Sequence, residues 1–141
     1  MSGQAKHFSV SVHDLDWDDG LDRATGDVEA SHGVRWKTLT GDGARPSAAI
    51  TTGFAEIGAG GLLAPHTHAD DEVYYITGGA GRVTIGTGAD QKAYAVKPGD
   101  TVFIPGNARH MVEVADDAKT PLTFFYVFAT ETFNDVEYVF E

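Results

Sequence analysis

The sequence predicts an all-β domain closed into a barrel or sandwich, and three observations predict it. Short apolar runs recur about every ten residues, the spacing of small β domains. Turn residues punctuate them, with 17 glycines and 5 prolines in 141 residues. No segment carries the 3.6-residue apolar stripe of a helix over roughly twelve positions. The length suits one domain, at roughly 100–200 residues each. Such a domain buries about two thirds of its unfolded surface, enough for a core without staples.

Residues 1–31 read as an acidic, irregular arm, and residues 32–141 as the barrel. Asp14-Leu15-Asp16-Trp17-Asp18-Asp19-Gly20 has too few apolar positions for a core element, but Leu15 and Trp17 can pin it to the body, with one short helix at most. From Gly33 the texture changes. Val34 to Leu39 alternates apolar and polar, the period of a half-buried strand. Gly41 to Pro46 is a loop. Ala48 to Ile57 reads as a strand stopped by Gly58-Ala59-Gly60-Gly61. Glu72–Ile76 and Gly81–Ile85 flank a glycine turn and form a hairpin. Lys92–Val96, Thr101–Ile104, His110–Val114, Leu122–Phe128 and Val136–Phe140 complete the set, with turns at Lys97-Pro98-Gly99-Asp100 and Pro105-Gly106-Asn107.

Charge and composition narrow the function. Ten basic against 21 acidic residues give a net charge of -11. That disfavours nucleic acid, whose affinity comes from neutralising phosphates, and an anionic membrane surface. A small-molecule substrate, neutral or cationic, fits better. There is no cysteine, which removes disulfides, thiolate metal sites and thiol nucleophiles. The first twenty residues show no apolar leader, and the longest apolar run, Phe124 to Ala129, is far short of the ~20 residues a membrane helix needs. A cytoplasmic protein is the expectation.

Three of the six histidines stand in an informative pattern. His66-Thr67-His68 puts two imidazoles two apart, on one face of an extended chain. Glu72 and Tyr74 share their parity, and His110 opens a later strand. Three imidazoles and a carboxylate suit one divalent transition metal: Fe, Mn, Ni, Co or Zn. By itself His-x-His is more often two surface histidines beside a loop. The flanks decide otherwise. Gly60-x5-His66-x-His68-x3-Glu72-x6-Gly79 resembles the first cupin motif at every fixed position, and Gly99-x5-Pro105-x-Asn107-x2-His110 resembles the second. Asn107 stands where glycine is usual, and Asn tolerates the left-handed conformation. Val114 stands where asparagine is usual. Neither departure removes a ligand. The resemblance implies a double-stranded β-helix, a jelly-roll-like barrel.

Beyond the motifs, Gly33-Val34-Arg35-Trp36-Lys37, Gly53-Phe54-Ala55-Glu56-Ile57, Pro105 to His110 and Phe133 to Tyr138 resemble the short bacterial cupin-type dimethylsulfoniopropionate lyases, over about residues 33 to 140. That family's metal ligands fall on His66, His68, Glu72 and His110. Its catalytic tyrosines fall on Tyr74 and Tyr138. The resemblance implies a lyase that releases dimethyl sulfide and acrylate by tyrosine-initiated β-elimination, and a homodimer. Tyr74 is then expected to have a depressed pKa beside the metal, and Trp36, Tyr75, Phe125 and Tyr126 to receive the cationic sulfonium.

Plainer roles stand beside these. Tyr74 and Tyr138 are also ordinary strand aromatics, Trp36 a core residue and Asn107 a turn residue. Arg109 is expected to point away from the site into a surface pair. Glu56 lies on a wall whose side the sequence does not decide. His7, His13 and His32 receive no role. The same ligand set also serves a cupin dioxygenase or an isomerase of another small acid, and the barrel alone serves a non-catalytic binding module.

Overall fold

The computed structural model describes residues 6–19, 31–130 and 138–140. Among them, nine strands form one curled antiparallel sheet: β1 (His32–Thr40), β2 (Thr51–Thr67), β3 (Glu72–Gly78), β4 (Gly81–Ile85), β5 (Lys92–Val96), β6 (Thr101–Ile104), β7 (His110–Glu113), β8 (Leu122–Phe128) and β9 (Val139–Phe140). The only helical pieces described are single 3-10 turns at Val12–Asp14 and Gly88–Asp90. The all-β expectation therefore holds, and the alternation in β3 and β8 is the reason. Glu72, Tyr74 and Ile76 are buried while Val73 and Tyr75 are exposed. Leu122, Phe124, Tyr126 and Phe128 all point inward. Each strand gives one face to the core and one to water.

The strand order β5-β4-β7-β2-β8-β3-β6, with β1 and β9 also on β2, makes β2 the pivot. Thr51–Ile57 of β2 pair with β8 on one side, and Thr52–Ile57 with β1 on the other. Beyond the glycines, Leu62–His66 pair with β7, and His66–Thr67 with β9. One 17-residue strand thus serves both walls of the barrel. This corrects the sequence reading, which began the strand at Ala48 and stopped it at Gly58. The glycines bend the strand instead of ending it. Gly60 takes φ +72, and its N–H donates to the Ala115 carbonyl at 3.1 Å, so pairing resumes after the irregularity. The residues before Val139 in the last expected strand, Val136 and Glu137, lie outside the described residues, as does the arm over 20–30.

The core fills the space between the walls with Ile57, Leu63, Tyr74, Ile76, Val83, Ile104, Val112, Leu122, Phe124 and Phe128, among others. The β3–β4 hairpin crosses under it at Gly79, which takes φ +71 with the Pro121 carbonyl oxygen 2.2 Å from where a Cβ would stand.

Gly79→Ala meets both the left-handed strain and a backbone atom that cannot move aside. It should cost about 2–4 kcal/mol in denaturant unfolding. Gly88, at φ +55 with open space around it, should cost only about 1–2 kcal/mol as Gly88→Ala, from strain alone. Equal losses for the two would mean that the Pro121 contact carries no weight.

Candidate metal centre

Three elements bring the histidines together. His66 near the end of β2 lies directly opposite His110 at the start of β7 in the ladder. Their ring centroids are 4.1 Å apart. His68 follows where β2 ends, and the chain turns before Glu72 opens β3. No continuous strand runs through 66, 68, 72 and 74, yet the turn still brings all four inward. Glu72, His66, His68 and His110 are each buried, at 3%, 1%, 3% and 0% exposure, so any charge among them is strong.

Two loops are stitched together beneath the site. Asn107, left-handed at φ 68 as its motif position requires, donates its N–H to the His68 carbonyl at 2.7 Å. Gly106 N–H donates to Asp71 Oδ1 at 2.7 Å. The loop leading into His110 is thereby tied to the loop between His68 and Glu72.

Every imidazole is oriented from behind. His66 Nδ1 lies 2.7 Å from the Ala64 carbonyl oxygen, His68 Nδ1 3.0 Å from that of Asp70, and His110 Nδ1 2.9 Å from that of Ala108. A carbonyl only accepts, so each Nδ1 carries a proton and each ring turns its Nε2 inward, with a lone pair to offer whenever that nitrogen is unprotonated. Nε2 of His66 and of His110 is buried with no hydrogen-bond partner. The ligand atoms of the three histidines lie within 4.8 Å of one another. Glu72 Oε1 sits 3.1 Å from His68 Nε2 and 3.6 Å from His110 Nε2. Converging lone pairs beside a carboxylate, dry and unpartnered, are a donor set for a cation. The three-histidine cluster fits a metal site.

The titration directions follow. Burial and the neighbouring His110 hold His66 well below the usual imidazole range. Burial alone would lower His68 too, but the hydrogen bond and charge of Glu72 outweigh it and raise the group. A proton or a metal ion is what relieves the His68–Glu72 pair.

Beside the cluster lies a narrow cavity of ≈ 30 Å³ lined by Trp36, Glu72, Tyr74, Phe124, Tyr126 and Tyr138, among others. The Tyr138 ring stacks on His66 at 4.9 Å and lies 5.4 Å from His68. Both candidate tyrosines are therefore at the site. Of the aromatics expected to receive a cation, Trp36 and Tyr126 line this cavity. Tyr75 does not: it is half exposed on the outer face. Phe125 faces outward as well, between the inward Phe124 and Tyr126. Phe124 is the wall residue missed in the sequence, though its parity with Tyr126 was there to be read. Glu56 pairs with Arg35 on the outside. Without a cation in the site, burial foremost, then the Glu72 charge, lift the Tyr74 hydroxyl well above the usual range. Burial does the same to Tyr138 and Tyr126.

No helix among the described residues is long and apolar enough to cross a membrane. The family model "Cupin domain" matches residues 53–128. The dimethylsulfoniopropionate lyase DddW of Ruegeria pomeroyi is 33% identical over 117 residues, 82% of this chain and 72% of that protein. The acireductone dioxygenase of Bacillus cereus is 44% identical over 54 residues, 37% of this chain and 31% of that protein. Among solved structures, the polyketide cyclase RemF from Streptomyces resistomycificus superposes with a TM-score of 0.73 at 19% identity, covering 96% of this chain and 87% of that one, a likeness of fold.

Two outcomes are expected. Purified protein should hold about one divalent metal per chain, and His68→Ala and His110→Ala less than about a tenth of that. Elemental analysis measures it, and equal content in all three sinks the assignment. In metal-free protein, the buried tyrosines stay protonated in the fold but ionise near pH 10 when unfolded. Above that pH the unfolded state binds fewer protons, so stability, full below pH 10, falls as pH rises. Tyr126→Phe should flatten the slope by about 1.4 kcal/mol per pH unit in urea unfolding at pH 10 to 11. An unchanged slope would mean Tyr126 ionises freely in the fold.

Proposed function

The chain belongs to the cupin family, and we propose that it is a metal-dependent carbon–sulfur lyase that splits dimethylsulfoniopropionate into dimethyl sulfide and acrylate. What carries the reading is that Tyr74 and Tyr138 share a cavity wall with Glu72, against the three-histidine cluster. The likeness to a lyase of that substrate supports it.

The reaction removes a proton from the carbon next to the carboxylate. The C–H electron pair becomes the new C=C bond, the C–S bond breaks, and its pair leaves on sulfur. Such a carbon acid is weak because its developing charge sits beside an existing one. A divalent cation held by His66, His68, Glu72 and His110 supplies positive charge to the substrate carboxylate and to Tyr74, offsetting both penalties. Tyr74, ionised beside that positive charge, is the base, and its phenolate oxygen takes the proton. Tyr138, stacked on His66, orients the substrate against Tyr74. Trp36, Phe124 and Tyr126 offer aromatic faces to the sulfonium, an attraction of ~0.5–2 kcal/mol. The aromatic wall also excludes water from the reacting carbon.

We take the enzyme to be a cytoplasmic homodimer. The outward Val73 and Tyr75 of β3 and Phe103 of β6, with Val73 opposite Phe103, support the dimer, since an exposed apolar strip invites burial. A dioxygenase is the second reading, favoured by the match to acireductone dioxygenase.

Metal-loaded protein given dimethylsulfoniopropionate should release headspace dimethyl sulfide and equimolar acrylate, with or without oxygen. No product removes the lyase, and turnover of another acid that stops without oxygen installs the dioxygenase. Tyr74→Phe should keep the metal and lose about 10²–10⁴ in rate, and Tyr138→Phe should lose less. A Tyr74→Phe rate within about threefold of wild type, under half a tenfold step, discards Tyr74 as base. Light scattering that returns 15.0 kDa, one chain mass, removes the dimer.

A further inference from the structure

Trp17 and Asp18 of the arm meet the barrel directly behind the substrate cavity. In β1, Arg35 and Lys37 face outward, and Trp36 between them lines the cavity. Trp17 lies across this outer face. Its ring carries the Arg35 guanidinium at 4.1 Å and Lys37 Nζ at 4.5 Å, and it packs on Phe54 with centroids 6.1 Å apart. Lys37 is 8% exposed, and its Nζ donates to the Val12 carbonyl at 2.7 Å. Next to Trp17, Asp18 N–H donates to the Trp36 carbonyl at 2.6 Å, and Trp36 N–H donates back to the Asp18 carbonyl at 2.9 Å.

β1 pairs with β2 on one side, Trp36 opposite Ala55, and with no other strand among the described residues. An edge strand held on one side frays, because its outer backbone groups exchange freely with water. Here the outer edge is taken by Asp18 at the very residue that walls the cavity, and Trp17 clamps the two neighbours of that residue. We propose that Trp17 is a positioning residue: from outside the barrel it holds Arg35–Lys37 in place, and with them the Trp36 indole inside. The arm then sets the width of the cavity without touching what binds there. The proposal rests on the reading of that cavity as the substrate site.

The chain has two tryptophans, so any Trp17 substitution leaves Trp36 as the sole indole emitter. Trp17→Phe keeps a ring beneath Arg35 and Lys37, and Trp17→Ala removes it. Acrylamide quenching of Trp36 should be about two- to fivefold stronger in Trp17→Ala than in Trp17→Phe, with metal content and far-ultraviolet dichroism the same. Equal quenching overturns the proposal. Should Trp17→Ala lose its metal or its dichroism, the double variant Trp17→Phe/Asp18→Pro decides, because proline removes one of the two backbone hydrogen bonds and leaves the ring. Stronger quenching there than in Trp17→Phe supports the strap, and no change overturns it. With dimethylsulfoniopropionate, Trp17→Ala should raise KM about fivefold and leave kcat within about twofold, since orientation loosens but the reacting groups remain. An unchanged KM breaks the link to the cavity. A wild-type chain that does not turn the substrate over defeats the lyase reading, and the quenching comparison still decides the role of Trp17.

Discussion

The structure depends on a single constraint: three imidazoles must be buried with their inner nitrogens converging, two of them without a hydrogen-bond partner. Each is held by a backbone carbonyl behind it, Ala64, Asp70 or Ala108. That contact settles the tautomer and leaves two buried Nε2 atoms unpaired. In a dry site an unpaired acceptor costs free energy, and several aimed at one point cost more than one. Such an arrangement fits a receptor for positive charge. The pivoting β2, the left-handed Asn107 and the hydrogen bond from Gly106 to Asp71 all serve to place those carbonyls.

The same dryness governs the cavity next to the cluster. Its wall is aromatic, and Glu72 is the carboxylate among the residues that line it. Burial foremost, and then the charge of Glu72, keep the nearby tyrosine hydroxyls protonated. Positive charge entering the site reverses that balance, and the chemistry of the site is therefore conditional on what occupies it. The cavity is also bounded by an edge strand, β1, whose outer side is supported at Asp18. Support from the arm gives the acidic N-terminal stretch a structural reason for its one tryptophan.

The motif residues were legible because their chemistry and spacing are local. Imidazoles two apart, a carboxylate four further on and a histidine after a Pro-Gly-Asn turn need no contact map. The strand alternation was equally legible, and in β3 the shared parity of Glu72 and Tyr74 named the inward face. Reading the glycines went wrong at Gly58 to Gly61, because a glycine run bends a strand or ends it according to whether partners exist beyond it. Those partners are on β7, about fifty residues away, as Leu62 opposite Glu113 shows. Tyr75 and Phe125 failed for a simpler reason: each alternates with residues that were already assigned inward, and aromatic character outweighed parity.

By itself, then, the sequence determined the all-β class, most of the strand segments and which side chains are candidates to hold a metal, since periodicity and donor type are properties of the chain. Only the tertiary structure decided that His66 lies opposite His110, that the ring nitrogens converge, and that Trp36, Phe124 and Tyr126 close one cavity while Tyr75 faces out. It also decided the direction in which Tyr74 titrates, because that depends on burial and on the distance to Glu72. Convergence, burial and field are properties of strands that meet in space, and a strand carries no record of its distant neighbours in its own residues.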